Sequence, residues 1–260
     1  MTKLDDSKLD LTGKLAIVTG GSKGIGADIA ITFAKAGADL AIIGRDRKGL
    51  DSTASAIHSY RRQCHIIEAD LADASAIEQA AQKLKQISLH WDILVNNAGI
   101  AKFIPLLETT VEDWENLYRV NLLAAFHLSK LIVPLMITRR RGKIINISSI
   151  GTFHGTPGLG AYAATKAGLN QLTKTMAVEW GGYNIQVNAI CPTVVLTEMG
   201  KQVWNDPNNA ALRNKIEQSI PLGRFAEPRE VSSLALYLAS ESSDFISGTI
   251  IPVDNGARHT

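Results

Sequence analysis

Ser149, Tyr162 and Lys166 place a hydroxyl, a phenol and an ammonium within one short stretch of the chain. Before them, Lys143-Ile144-Ile145-Asn146-Ile147 is a β-branched run that reads as a buried strand. After the serine, Ala161 to Trp180 has few breakers and apolar residues at helical spacing. Tyr162 and Lys166 are then one turn apart and share a face. Ser149 falls at the carboxyl end of the strand, where open parallel α/β sheets bind ligands. Free tyrosine titrates near pH ~10, too high for a base at neutral pH. A unit positive charge about 4 Å away is worth roughly 4 kcal/mol at an effective dielectric of ~20. At ~1.36 kcal/mol per pH unit, Lys166 alone would lower the phenol by up to about three units. A phenol tuned in this way exchanges a proton with an alcohol/ketone pair.

Tyr-x-x-x-Lys alone arises by chance in many helices, and Ser-Ser after a strand is usually a turn or an N-cap. The chemical reading therefore depends on the elements around these residues. Leu15-Ala16-Ile17-Val18-Thr19 is an apolar strand that runs straight into Gly20-Gly21-Ser22-Lys23-Gly24-Ile25-Gly26. A helix follows over Ala27–Ala36. Strand, glycine turn and helix are the context in which backbone N–H groups and a helix N-terminus hold a pyrophosphate. The second strand, Asp39–Gly44, ends at Arg45. An acid is expected there for a ribose, an arginine for a 2′-phosphate. Arg45 and Lys23 favour NADP, and Asp46 opposes it in part.

The pattern continues with a helix over Arg47–Arg62, a strand over Cys64–Ala69 with Asp70-Leu71 at its end, and a helix over Ala74–Ile87. A fourth strand, Asp92–Val95, leads to Asn96-Asn97-Ala98-Gly99, small enough to pass close to a cofactor or to form an ordinary turn. Val111–Arg139 is one long helical zone holding Asn121, which either bridges a polar gap or holds a water or the lysine. Ile185–Ile190 is a sixth strand, Glu230–Ala239 a helix and Gly248–Val253 a last strand. Alternating strands and helices argue for a parallel sheet covered on both faces. Residues 198–226 break the alternation: either a lid over the pocket, or a surface helix pair anchored by Trp204.

The chain has 260 residues, with no linker dividing it, so one α/β domain over 1–260 is expected, its residues 1–13 a polar leader. A net charge of +2 is too small to argue for nucleic acid or an acidic membrane. Cys64 and Cys191 are expected to be buried free thiols, as in a reducing cytoplasm. No apolar run is long enough to suggest a spanning helix, and no metal site is expected.

Thr19 to Gly26, Asn96-Asn97-Ala98-Gly99, Asn121, Ser149, Tyr162-x-x-x-Lys166 and Pro192 to Thr197 occur in order. On these motifs the chain resembles the short-chain dehydrogenase/reductase family over essentially its full length. The resemblance implies a Rossmann-type, doubly wound, seven-stranded parallel sheet and a catalytic tetrad. In it Asn121 holds a relay water through the helix backbone, Ser149 hydrogen-bonds the substrate oxygen, and Tyr162 is the acid/base. Lys166 lowers the pKa of Tyr162 and binds the nicotinamide ribose. Further cofactor contacts are implied at Gly20, Ser22, Lys23, Gly24, Ile25, Gly26, Arg45, Asp70, Leu71, Asn97, Ala98, Gly99, Pro192, Thr193, Val195 and Thr197. A homotetramer is implied as well.

Within the family, Asn188 to Gly200 with Trp204 and Pro221 to Ala226 looks like the xylulose reductases and related sugar or polyol dehydrogenases. Thr193 replaces the usual glycine, as in those reductases. Leu159 stands where they carry a substrate-contacting histidine, and Asn255 replaces a glycine of the family's usual ending. Gly151 and His154 are expected on one wall of the substrate site and Trp204 on the other, although His154 also suits a plain loop. The expected activity is NADP(H)-dependent interconversion of a small ketose or sugar acid and its alcohol. Reduction of 3-oxoacyl thioesters is the alternative. A non-catalytic NADPH sensor would typically have lost the tyrosine or lysine.

Overall fold

The computed structural model describes residues 9–197, 200–201, 204–207 and 210–257. Residues 1–8 of the expected leader, and 198–199, 202–203 and 208–209 of the expected lid, lie outside the described residues, as do 258–260.

Seven strands carry the fold: β1 (Leu15–Thr19), β2 (Asp39–Gly44), β3 (Cys64–Glu68), β4 (Ile93–Asn96), β5 (Gly142–Ile147), β6 (Ile185–Pro192) and β7 (Ile250–Val253). All neighbours pair in parallel, in the order β3-β2-β1-β4-β5-β6-β7. The order reverses between β1 and β4, so a crevice opens at their carboxyl ends. Successive residues of β1 serve opposite faces, as strand geometry requires. Ala16 and Val18 pack with α1 (Gly24–Lys35), α2 (Arg47–Ser59) and α7 (Pro228–Ala239). Ile17 packs with α3 (Ala74–Ile87), α5 (Ala124–Arg139) and α6 (Gly160–Gly181). Both faces are covered, which is why the strands read as largely apolar runs.

Helix starts follow their caps. Asp46 accepts from the Gly49 N–H at 3.1 Å and Asp73 from the Ser75 N–H at 2.8 Å. Thr110 and Asp113 close a reciprocal box at the start of α4 (Val111–Tyr118). α1 begins at Gly24, inside the glycine turn and three residues before the expected start. α2 ends at Ser59 rather than Arg62, because Arg61 turns into the left-handed region at φ 58°. β6 runs two residues past Ile190, to Pro192.

The expected single helix over Val111–Arg139 is interrupted. Between α4 and α5, Arg119–Leu123 form a wide π turn, and the Ala124 N–H reaches back to the Arg119 carbonyl. Contrary to expectation, this composite helix is long and apolar enough to cross a membrane by length and hydropathy alone. Its Leu128, Ile132, Val133 and Met136 are buried against the sheet, which makes it a core helix.

A buried polar ladder ties the layers together beside the crevice. Asn96 Nδ2 donates to Asn146 Oδ1 at 2.9 Å and to Ser129 Oγ at 3.1 Å, and Asn146 Nδ2 donates to Thr173 Oγ1 at 2.8 Å. Asn146→Leu keeps the volume but leaves an Asn96 amide hydrogen without its acceptor. We expect a loss of about 1–3 kcal/mol in urea unfolding with an unchanged denaturant slope.

Candidate active site

The carboxyl end of β5 supplies the serine. Ser149 stays extended at φ −160°, and the next residues, Ile150–Thr152, make one tight turn. The Gly151 N–H donates to Ser149 Oγ at 3.1 Å. That bond occupies an acceptor site and leaves the serine hydroxyl proton to donate elsewhere. Tyr162 and Lys166 project from the first turns of α6, with the ammonium 6.0 Å from the phenol ring centre. Lys166 is 4 % exposed, and its Nζ donates to the Ile147 carbonyl at 2.8 Å. Burial lowers its pKa from 10.5 to about 8.

Tyr162 corrects the simple charge argument. Burial raises its pKa above the ordinary 10, and the hydrogen bond from Ser149 lowers it only in part. Desolvation dominates the balance, so the group is a phenol at neutral pH. It is therefore held as a proton donor.

Asn121 sits in the π turn, 1 % exposed. Its Oδ1 accepts from the Ile100 N–H at 2.8 Å, and its Nδ2 donates to the Ile100 carbonyl at 2.9 Å and to Thr165 Oγ1 at 3.1 Å. Its side chain thus pins the segment after Gly99 to α6. Asn121 Oδ1 and Lys166 Nζ both approach within 3.3 Å of where a Gly99 side chain would begin.

A cavity of about 420 Å³ joins these groups to the glycine turn. Of the residues named from sequence, Gly20, Ser22, Lys23, Ile25, Arg45, Asp70, Leu71, Asn97, Ala98, Gly99, Ser149, Tyr162, Lys166, Pro192, Thr193 and Thr197 line it. Gly24, Gly26, Asn121 and Val195 are not among the lining residues, nor are Gly151, His154 and Trp204. Val195 bridges to Ala226. The Gly151 N–H serves Ser149, and His154 is exposed on the following loop. Trp204 packs on the buried Phe225, ring centres 5.2 Å apart, with Arg213 over that same ring. That packing suits the anchoring role for Trp204.

The cavity fits a dinucleotide. Gly20 has φ +67°, and a side chain there would begin 2.7 Å from Asn97 Nδ2. One at Gly26 would collide with the Gly20 carbonyl. Both positions thus need glycine to keep the turn tight. Lys23 caps α1 with no side-chain bond, so the first N–H groups of the helix keep their capacity for an anion. Asp46 lines the cavity, but one of its oxygens is committed to capping α2. Arg45 pairs with Asp70 at 3.3 Å across the same end.

Sequence reasoning missed the fasteners. Thr19 Oγ1 accepts from the Asn97 and Ala98 N–H groups at 2.9 and 3.0 Å and donates to the Val95 carbonyl at 3.2 Å. Thr165 and the Ile147 carbonyl hold Asn121 and Lys166. Thr19 ends an apolar strand at the glycine turn, a signal that could have singled it out; the other two carry none.

A family model described as enoyl-(acyl carrier protein) reductase matches residues 20–258. D-threitol dehydrogenase of Mycolicibacterium smegmatis is 35 % identical over 260 residues, covering 98 % of both chains. L-xylulose reductase of Bos taurus is 40 % identical over 252 residues, 95 % of this chain and 98 % of that one. The crystal structure of a gluconate 5-dehydrogenase from Burkholderia cenocepacia, in complex with NADP and tartrate, superposes with a TM-score of 0.90. It is 33 % identical and 98 % of each chain is covered. The chain belongs to the short-chain dehydrogenase/reductase family and is an oxidoreductase of alcohol and carbonyl groups that takes a nicotinamide cofactor.

Lys166 should reveal itself in stability. Its folded pKa of about 8 lies below the 10.5 of the free side chain. Unfolding therefore takes up a proton between those values, and the cost of the buried charge is full below pH 8 and fades as pH rises. Relative to the unmodified protein, ligand-free Lys166→Met should gain most in chemical unfolding at pH 7, with the gain shrinking toward pH 10. A gain that does not change with pH would contradict the assignment.

Proposed function

We propose that the chain is an NADP(H)-dependent enzyme that interconverts a small ketose, or a keto form of a sugar acid, and the corresponding alcohol. The observation that carries this reading is the single cavity running from Arg45 and Lys23 to Ser149, Tyr162 and Lys166. A nicotinamide dinucleotide, when bound, supplies or accepts the hydride. The chain's own residues handle the proton. In reduction, Tyr162 gives its phenolic proton to the carbonyl oxygen as that oxygen gains charge. The Ser149 hydroxyl donates to the same oxygen. The buried Lys166 charge stabilises the phenolate that Tyr162 becomes, and proton uptake from water restores the phenol. Oxidation runs these steps in reverse. Asn121 keeps Ile100 and α6 in register behind them.

For NADP, Lys23 and Arg45 are the cations suited to a 2′-phosphate. Arg45 would exchange its exposed pairing with Asp70, worth ~0–1 kcal/mol, for that phosphate. The sugar reading is supported by the polyol, ketose and sugar-acid names of the relatives. His154 is the candidate sugar contact, and Trp204 holds its segment in place. The family model's description keeps acyl thioesters as the competing substrate class. A cytoplasmic homotetramer completes the proposal. Both cysteines are free, and Leu107, Val111, Val178 and Phe245 are exposed apolar side chains that assembly would cover.

Steady-state assays of L-xylulose, a keto sugar acid and a 3-oxoacyl thioester with NADPH and NADH test the reading. Tyr162→Phe should lower turnover by about 10²–10⁴-fold while NADPH affinity, measured by calorimetry, changes little. Near-normal turnover in that variant would remove Tyr162 from the chemistry. Arg45→Asp should weaken NADPH about tenfold or more and leave NADH near its original affinity. Equal affinity of the unmodified protein for both cofactors would overturn the NADP assignment, and turnover confined to the thioester would overturn the sugar one.

A further inference from the structure

Behind the Ser149 turn runs a line of hydrogen bonds that the tetrad does not account for. The Cys191 thiol, near the end of β6, donates to Asn170 Oδ1 at 3.8 Å. Asn170 Nδ2 donates to Thr152 Oγ1 at 3.0 Å. The Thr152 hydroxyl donates to the Ser149 carbonyl at 2.9 Å. Each donor is used in one direction, toward the serine. Cys191 is fully buried and Asn170 is 9 % exposed. Burial pushes the thiol pKa up, so it remains an S–H donor. A donor at that place orients the amide, because only Oδ1 can accept from it.

Tyr162, Lys166 and Asn170 are spaced four apart on α6 and form one stripe. The helix that carries the acid and the ammonium therefore also carries the anchor of the turn opposite. We propose that Asn170 is a positioning residue: through Thr152 it fixes the Ser149 turn, and so keeps the Ser149 hydroxyl on the oxygen that Tyr162 protonates. The proposal rests on Ser149 and Tyr162 acting as assigned above. Displacing a group that positions the reacting atoms by about 1 Å costs roughly 10²-fold in rate. The groups facing the phenol are Ser149, whose hydrogen bond lowers its pKa, Cys191, which raises it, and Lys166. Loosening Ser149 removes the lowering influence.

The test compares Asn170→Leu, Thr152→Val and Thr152→Ser in the full chain, with NADPH and the best ketone substrate from the assay above. Asn170→Leu and Thr152→Val should each lower kcat by about 10–100-fold and move the alkaline limb of the pH profile to higher pH. NADPH affinity should stay within about twofold, by the same positioning argument. Thr152→Ser, which keeps the hydroxyl, should restore most of the rate. The double variant should be little worse than either single one, as expected for groups in one line. If Asn170→Leu fails to fold, Thr152→Val against Thr152→Ser carries the test. Unchanged kcat and pH profile, or losses that add and merely follow the melting temperature, would overturn the proposal. Ser149→Ala separates the two readings. Full activity in it removes the tetrad assignment itself, whereas its inactivity beside active Asn170 and Thr152 variants removes only Asn170.

Discussion

A lysine ammonium buried to 4 % exposure, with a backbone carbonyl as its partner, is the constraint around which the site is built. Burial of a charge is costly, and proteins usually offset it with a paired carboxylate. Lys143 shows that ordinary solution: it is also buried, and Asp244 meets it at 2.7 Å. Among the described residues no carboxylate forms an ion pair with Lys166. Burial lowers its pKa to about 8, with no carboxylate to offset the shift. A charge kept without a counter-ion in a cavity is the signature of a group reserved for chemistry. The anion it suits is the tyrosinate formed when Tyr162 gives up its proton.

Holding such a charge requires a rigid surround, and the parallel sheet supplies it. Both faces of the central strands are covered, and the strand ends are laced by Asn96, Asn146, Ser129 and Thr173. Thr19 clasps the turn after β4 to β1, and Asn121 clasps the following residue to α6. These bonds converge on the crevice where the strand order reverses. The stability of the whole domain is thereby set against the local cost of the unpaired lysine, a common arrangement where function requires strain.

The strands were legible because parallel, doubly covered strands are mostly apolar, and these are, apart from amides such as Asn96, Asn146 and Asn188 that find hydrogen-bond partners inside the fold. The glycine turn and the Tyr-x-x-x-Lys spacing were legible because helix geometry fixes which residues meet. The π turn at Asn121 was not, since one extra residue in a helix leaves apolar spacing almost intact. The direction of the Tyr162 shift was missed for a different reason. Sequence separation gives the distance to Lys166, but desolvation depends on strands and loops distant in the chain. Trp204 was ambiguous because Phe225, the ring it packs on, lies twenty-one residues further along the chain. Thr165, Thr152 and Asn170 are ordinary helix or turn residues in sequence, and only the packing of α6 on β5 and β6 gives them partners.

The most direct test is the titration of Lys166 itself by NMR. The side-chain carbon and nitrogen resonances of isotopically labelled lysine would be followed in the ligand-free protein, with the Lys166 signal identified by its loss in Lys166→Met. The account predicts a midpoint near pH 8, well apart from the exposed lysines. A midpoint near 10.5, the value of an ordinary lysine, would mean that the ammonium is solvated or paired, and would contradict the arrangement on which the site depends.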